Sequence, residues 1–178
     1  DEKAKSMGGK LLKELTALLG RAPEEKDACF HTVCLLDDFT GSGMSYIRDE
    51  GGNWDGKIPR IVQKLTAAGA LNDIVAKSGL EIVVCIYVAS HQAERHITKA
   101  LKDFDFQAGK LQLKVIHQLP PETRLDDAKD AGILALARDD RYFDKSADDE
   151  HTGVAGKSSR LGYDECRLPL ILSHNTPN

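Results

Sequence analysis

The segment TVCLLDDFTGSGMS, residues 32–45, contains the strongest structural signal in the chain. It begins as an apolar run with a high preference for β structure, which is typical of a strand buried in a parallel sheet. Two adjacent carboxylates, Asp37 and Asp38, come next, and a turn of glycines and hydroxyl-bearing residues follows them. In an open α/β sheet, residues that follow a strand lie in the crevice where such folds bind ligands. The segment therefore predicts a ligand site at the carboxyl end of the first strand.

The order of residue types in this segment suits a ligand that carries both a sugar diol and a phosphate. Carboxylates can accept hydrogen bonds from ribose hydroxyls or hold a hydrated Mg²⁺. Gly41 and Gly43 allow a sharp turn whose backbone N–H groups close around an anion, and Ser42 and Ser45 add hydroxyl donors. A short helix expected at residues 44–48 would direct its positive end at the same phosphate. An aspartate-rich surface turn is the alternative, but the combined features favour a ribose-phosphate pocket.

Strand-like and helix-like patterns of apolar residues alternate along most of the chain. Strands are predicted at residues 32–36, 80–88, 111–117 and 168–172. Helices are predicted at residues 7–19, 91–104 and 126–138, and at residues 58–68 with an extension past residue 71 towards residue 76. This alternation predicts right-handed βαβ units and an α/β fold with a mainly parallel sheet flanked by helices. Residues 49–56 and the acidic segment 139–160 are predicted to be loops.

The composition of the chain restricts its function. Its 178 residues suit one domain, and 24 basic against 28 acidic residues argue against direct binding of nucleic acid. None of the four cysteines forms a pair with metal-ligand spacing, and Cys34 and Cys85 lie in apolar runs, so we expect both to be buried thiols in a reducing compartment. Because the sequence shows neither a signal peptide nor an apolar run of membrane-spanning length, we expect a cytoplasmic protein without a membrane partner.

The segment LLDDFTGSGMS at residues 35–45 resembles the phosphoribosyl-pyrophosphate loop of type I phosphoribosyltransferases. That signature consists of an apolar strand, two acidic residues, a short apolar step, and small and hydroxyl residues around a glycine. The form DDFTGSG, with the later Gly162 and Tyr163 and the closing HNTPN at residues 174–178, is similar to the phosphoribosyltransferase-like domain of bacterial conflict and anti-phage systems, including some linked to retrons. The resemblance implies a Rossmann-like core and protein partners or fused domains of a defence system.

The resemblance also implies roles for individual residues. Asp37 and Asp38 become the catalytic ligands of the ribose hydroxyls and hold Mg²⁺, directly or through water. The cradle for the 5′-phosphate comprises Thr40, Gly41, Ser42, Gly43, Met44 and Ser45. In the family, the ribosyl C1 moves from pyrophosphate to a nucleophile, usually a base nitrogen, through an oxocarbenium-like state with Mg²⁺ on the pyrophosphate. Carboxylates beside the ring would stabilise the developing positive charge, and the metal would neutralise the leaving group.

Two departures from the family pattern affect this interpretation. Gly41 stands where many members carry a hydroxyl side chain, so backbone N–H groups must replace one phosphate donor. The family also carries a pyrophosphate-binding loop on an earlier strand, whereas here a predicted helix takes up much of the chain before residue 32. Residues 6–9 are either an anion site or a flexible cut end. Either the pyrophosphate loop belongs to a preceding part of the protein, or the domain binds its ligand without turnover.

One further motif is rejected, and two further features keep alternative interpretations. Residues 153–158 resemble the tail of a nucleotide P-loop, but the spacing between the glycines is too short for that motif. Tyr163, Asp164 and Asn175 lie where the resemblance implies an acceptor pocket. Trp54 either packs over a ligand or fixes the glycine-rich segment around it to the domain.

The sequence as a whole predicts a single phosphoribosyltransferase-like domain at residues 1–178, expected to be a piece of a longer chain because it begins at Asp1 without an initiator methionine. It is expected to bind phosphoribosyl pyrophosphate or a ribose 5-phosphate nucleotide with Mg²⁺, and to catalyse ribosyl transfer or cleavage in a bacterial defence system. The acceptor stays unidentified. One alternative is a non-catalytic sensor that controls a fused or partner effector. Another is a scaffold with a vestigial pocket, whose acidic residues 139–150 dock a partner.

Overall fold

The structure is a computed structural model, and it describes residues 2–24, 27, 29–144 and 159–170. The helices and strands, in chain order, are α1 (Glu2–Leu19), β1 (Thr32–Thr40), β2 (Arg48–Asp49), β3 (Trp54–Asp55), α2 (Lys57–Thr66), β4 (Leu80–Ser90), α3 (His91–Asp103), β5 (Gly109–Leu119) and α4 (Ala131–Arg138). Most of the predicted strands and helices are present, and the three main strands are longer than predicted.

The strands β1, β4 and β5 form a parallel sheet in that order, with β4 in the centre. Helix α2 connects β1 to β4, and α3 connects β4 to β5. Both crossovers step in the same direction across the sheet, and because such crossovers are right-handed, both helices lie on the same face. The predicted α/β class, with a mainly parallel sheet flanked by helices, is confirmed.

A single apolar layer joins this face of the sheet to the two helices. Its fully or almost fully buried members are Leu80, Ile82, Val84 and Ile86 of β4, Ile58, Val62 and Leu65 of α2, and Ala93, Ile97 and Ala100 of α3. Each helix supplies residues at positions i, i+4 and i+7, which lie on one side of a helix. Burial of each large aliphatic side chain contributes about 1.5–3 kcal/mol to folding. The layer holds the amino ends of α2 and α3 near the carboxyl edge of the sheet.

The opposite face of the sheet remains largely exposed within the described residues. Leu36, Tyr87 and Ile116 are 78%, 58% and 53% exposed, respectively. Cys34 is exposed as well, and Cys85 is half-buried, so the expectation that both thiols are buried was wrong. The cause is topological, because β1 alternates between exposed and half-buried residues and only its half-buried side faces α2 and α3.

The turn that follows β1 differs from the prediction. A helix was expected at residues 44–48, but the chain makes a single turn and enters the β2–β3 hairpin, which occupies part of the predicted loop. The helix begins only at Lys57, where the amides of Lys57 and Ile58 donate to the carbonyl oxygens of Ser45 and Tyr46. The helix expected at residues 44–48, with its dipole aimed at a phosphate, is therefore absent, and the first two amides of α2 are already bonded to the turn.

Other predictions are corrected near the ends of the described chain. Residues 6–9 lie inside α1, which begins at Glu2 rather than at residue 7. The fourth predicted helix begins at Ala131, because the Asp126 carboxylate accepts hydrogen bonds from the next amides and holds a turn. Residues 168–170 form no strand, and the predictions for residues 145–158 and 171–178 lie outside the described residues.

Among the described helices, none combines the length and the apolar character that crossing a bilayer requires.

Candidate functional site

The glycine loop, which we define as residues 40–45, leaves β1 at the carboxyl edge of the sheet. Its shape is held by its own side chains. The amide of Gly43 donates to Thr40 Oγ1 at 3.2 Å, and the amide of Met44 donates to Ser42 Oγ at 3.3 Å. Both hydroxyl groups belong to residues that are only about 5% exposed, whereas Ser45 is exposed. The hydroxyls of Thr40 and Ser42 therefore stabilise the turn in this structure, and their role as phosphate ligands stays a prediction.

The start of α3 fixes the loop from the side. Ser90 is the N-cap of α3, because its Oγ accepts a hydrogen bond from the Ala93 amide at 2.9 Å, and the same hydroxyl donates to the carbonyl oxygen of Gly41. Gly43 has φ of 80°, and a Cβ there would lie 2.9 Å from Ala93 O and 3.0 Å from Ile97 Cγ1. Only glycine fits this close approach between the loop and the helix.

The two adjacent acids lie within β1 rather than beyond its end, since the strand continues to Thr40. Because side chains alternate along a strand, Asp37 lies on the half-buried side and Asp38 on the exposed side. Their carboxylates accept hydrogen bonds from the following amides, those of Asp38 and Phe39 respectively. The two side chains therefore do not converge on one ligand in this structure, and their ligand roles stay predictions.

Asp37 is bound by two side chains that the sequence patterns did not reveal. Tyr46 Oη donates to Asp37 Oδ2 at 2.5 Å, Lys57 forms an ion pair with the same oxygen, and Lys57 Nζ lies 4.8 Å from the centre of the Tyr46 ring. Burial raises the pKa of Asp37, but the hydrogen bonds from Lys57 and Tyr46 outweigh it and hold that pKa below its usual range. Burial and the neighbouring Asp37 charge raise the pKa of Tyr46. At neutral pH, Asp37 is ionised and Tyr46 is protonated.

A cavity of about 460 Å³ opens between the glycine loop and the start of α2. Thr40, Gly41, Ser42 and Ser45 of the loop form one wall. The opposite wall carries three cations, Arg48, Lys57 and Arg60, and none of the described residues that line the cavity is Asp or Glu.

The carboxylates that pair with these cations do not themselves line the cavity. Asp55 accepts from Arg48, and it also accepts from Arg60 Nε at 2.9 Å and from a second Arg60 nitrogen at 3.2 Å. A hydrogen bond from the Gly56 amide, together with the two arginines, holds the pKa of Asp55 below its usual range. The cavity lining therefore carries the positive members of several ion pairs and not the carboxylates of these pairs, and we call it the electropositive cavity.

Residues 162–167 close one side of this cavity. Tyr163 and Cys166 line it, and a Cβ at Gly41 would lie 3.0 Å from Cys166 Sγ, so the two segments touch. Asp164, Glu165 and Arg167 all have φ near 50°, which is a costly backbone conformation for residues other than glycine. Burial raises the pKa of Cys166, which favours the protonated thiol.

The predicted residues thus divide into those that reach the cavity and those that do not. Tyr163 lines it, whereas Asp164 is turned towards Gln92, whose Nε2 donates to Asp164 O at 3.0 Å. Trp54 packs edge-on against Phe104 at 5.6 Å between ring centres and does not line the cavity, which supports its role as a structural staple. In the part of the chain that the structure describes, no three His, Cys, Asp or Glu side chains gather as a metal site.

Sequence reasoning missed Tyr46, Arg48, Lys57 and Arg60. The start of the predicted second helix could have indicated Lys57 and Arg60, because residues at positions i and i+3 present their side chains on the same side of a helix. Tyr46 and Arg48 depend on the β2–β3 hairpin, which no local sequence pattern indicates.

The model of the PRTase-CE family, which describes a phosphoribosyltransferase-like domain, matches residues 11–178. The match contains the glycine loop, the acid pair and every residue that lines the electropositive cavity. No curated protein and no solved structure matches the chain at a significant level.

The Gly43→Ala substitution should destabilise the protein more than Gly51→Ala. Both glycines have positive φ, so both variants strain the backbone by about 1–2 kcal/mol. Only the Cβ at residue 43 meets neighbouring atoms, because nothing lies within 4 Å of a Cβ at Gly51. Urea unfolding of the two variants measures the difference, and equal losses of stability would contradict the proposed contact between the loop and α3.

The Lys57→Met substitution should raise the pKa of Asp37. In the wild-type protein that pKa is lowered, so the stabilisation it provides is present at neutral pH and disappears as the pH falls through the folded-state pKa. The variant should lose this stabilisation at a higher pH. Carboxyl-carbon NMR titration measures the shift, with Lys64→Met on the exposed side of α2 as control. An unchanged Asp37 titration in the Lys57 variant would refute the ion pair.

Proposed function

Because this chain belongs to the PRTase-CE family of phosphoribosyltransferase-like domains, we propose that it binds the phosphate of a phosphoribosyl ligand in the electropositive cavity. The ligand is phosphoribosyl pyrophosphate or a ribose 5-phosphate nucleotide. One observation carries the proposal: among the described residues, three cations and no carboxylate line a cavity whose other wall is the glycine loop. Its volume of about 460 Å³ falls within the usual range for small-molecule sites.

The arginines supply the geometry for phosphate recognition. Arg48 and Arg60 carry planar guanidinium groups, which can bind phosphate oxygens in a bidentate manner. Both already contact Asp55, and this pairing holds their side chains at the cavity wall before a ligand arrives. The loop residues that line the cavity, Thr40, Gly41, Ser42 and Ser45, have small side chains, so a phosphate can approach the backbone closely.

Asp37 is the acid better placed to act on the ribose. It lies on the side of β1 that faces Tyr46 and Lys57, next to the cavity, whereas Asp38 lies on the other side. In ribosyl transfer the bond from C1 to the pyrophosphate breaks, positive charge develops on the ring, and a nucleophile forms the new bond to C1. An ionised carboxylate beside the ring stabilises that charge. The lowered pKa of Asp37 keeps it in this form at neutral pH.

The donor set fits Mg²⁺ only as a partner of the substrate. Asp37 Oδ2 already accepts from Tyr46 and pairs with Lys57, and the described residues gather no cluster of three metal-binding side chains. Mg²⁺ commonly binds through one or two carboxylates, several waters and substrate phosphates. When bound with the diphosphate it would neutralise charge on the leaving group. The role in bacterial defence, with protein partners or fused domains, rests on the resemblance described above.

A ligand sensor is the second candidate function, and the orientation of the two acids favours it. Asp37 and Asp38 lie on opposite sides of β1, and Asp37 is already bound by Tyr46 and Lys57. A domain that holds a phosphoribosyl ligand without turning it over can pass the presence of that ligand to a partner. Binding without pyrophosphate release would identify this function.

The Arg60→Gln substitution should weaken binding of phosphoribosyl pyrophosphate roughly tenfold, because it removes a charge-assisted contact to phosphate. Arg60 is 61% exposed at its side chain, so the fold should tolerate the change. Isothermal titration calorimetry measures the affinity. Lys64→Gln, on the same helix but outside the cavity, is the matched control. Equal affinities of the wild-type protein and the Arg60 variant would count against the cavity as the phosphate site.

Asp37→Asn should reduce pyrophosphate release more than Asp38→Asn, since only Asp37 faces the cavity side of β1. A pyrophosphate-release assay with phosphoribosyl pyrophosphate and Mg²⁺ compares the single variants, and circular dichroism checks their folding. A larger loss for Asp38→Asn would reverse the assignment. If the wild-type protein binds the ligand but releases no pyrophosphate, the sensor function replaces the transferase.

A further inference from the structure

A second cavity, of about 880 Å³, runs beside α3 and adjoins the first. We call it the α3 groove, and the side of α3 and the segment after β5, including Pro120 and Arg124, form its walls. Cys166 lines both cavities, so only the segment around that residue separates them. A ligand in the groove would lie next to a ligand held by the glycine loop.

Basic residues follow one another along the groove. Arg95, Lys99 and Lys102 lie on one side of α3, and seven residues of helix separate the first from the last by about 10 Å. All three are exposed, and within the described chain none of them forms an ion pair. The cations of the first cavity, in contrast, are all paired with carboxylates.

The carboxylates in the groove are already engaged by neutral side chains. Glu94 accepts a hydrogen bond from Gln118, and Asp164 accepts one from Gln92 Nε2 at 3.2 Å. Arg124 lies on the other side and uses one nitrogen to donate to Glu165 O at 3.1 Å. The groove therefore presents more cations than carboxylates to a ligand, although the whole chain has a net charge of −4.

We propose that the α3 groove binds a second small molecule, of nucleotide size, through its phosphate groups. This inference rests on the proposed function, because it places the second ligand beside the phosphoribosyl ligand. The row of unpaired cations suits several phosphate charges in a line. The groove volume lies in the range of small-molecule sites. No Phe, Tyr or Trp among the described residues lines it, so it lacks the stacking platforms on which proteins bind nucleic-acid strands.

Calorimetry with adenosine 5′-diphosphate tests the proposal on the full chain. The triple variant Arg95→Gln, Lys99→Gln and Lys102→Gln should bind this probe roughly tenfold more weakly, since it removes three charge-assisted contacts to phosphate. The matched control removes three exposed lysines from another helix, α1, through Lys3→Gln, Lys5→Gln and Lys13→Gln, and should bind like the wild-type protein. The single variant Lys99→Gln should show a smaller loss in the same direction.

Parallel titrations separate this inference from the proposed function. Phosphoribosyl pyrophosphate should bind the wild-type protein and the groove variant equally. Phosphoribosyl pyrophosphate could bind neither protein while adenosine 5′-diphosphate binds the wild-type protein more tightly than the groove variant. In that case the proposed function is wrong and the groove remains a phosphate site. Absence of diphosphate binding to the wild-type protein, or equal binding to the groove variant, overturns the inference. Affinity for single-stranded oligonucleotides that exceeds the affinity for the diphosphate and rises with length also overturns it, in favour of a nucleic-acid strand.

Discussion

The contact between the glycine loop and the start of α3 determines the geometry of both cavities. Parallel pairing of β1 with β4 places Thr40 beside Ala89, so the loop and the N-cap Ser90 meet at the same edge of the sheet. Ser90 then binds the loop through Gly41 and caps the helix with one hydroxyl. The absence of a side chain at Gly43 lets the loop rest against the backbone of α3. Because of this contact, one side of the loop faces the first cavity, and the helix it touches forms a wall of the second.

The sequence predicted the parts of the fold that depend on local patterns. β4 and α3 were predicted almost to their ends, because an apolar β-branched run and a helical pattern follow each other directly. The end of β1 was misplaced, since Asp37 and Asp38 have low strand preference and extend the strand only because β4 offers partners as far as Ala89. The β2–β3 hairpin and the positions of Tyr46 and Arg48 could not be predicted, because they depend on contacts between segments that no local pattern brings together, such as that of Gly56 with Tyr46.

Charge in this protein acts through its local distribution rather than its sum. A net charge of −4 argued against anionic macromolecules as ligands, and that argument concerns the long-range field of the whole chain. At short range, the fold places carboxylates behind arginines in the first cavity and pairs the groove carboxylates with glutamines. In each cavity, most of the charges that a ligand can contact are positive. Small anions can therefore be attracted to two sites on a chain whose net charge is negative.

Lys57 links phosphate binding to the state of Asp37 under the proposed function. Its ammonium group is exposed enough to turn towards a phosphate in the cavity, and it now pairs with a carboxylate that also accepts from Tyr46. A phosphate that attracts Lys57 would release one partner of Asp37 while leaving the Tyr46 hydrogen bond to hold the carboxylate in place. The released oxygen could then accept a hydrogen bond from a ribose hydroxyl of the same ligand. On this view the ion pair keeps Asp37 ionised and oriented until the ligand replaces it, so the acid becomes available to the sugar only when the phosphate is bound.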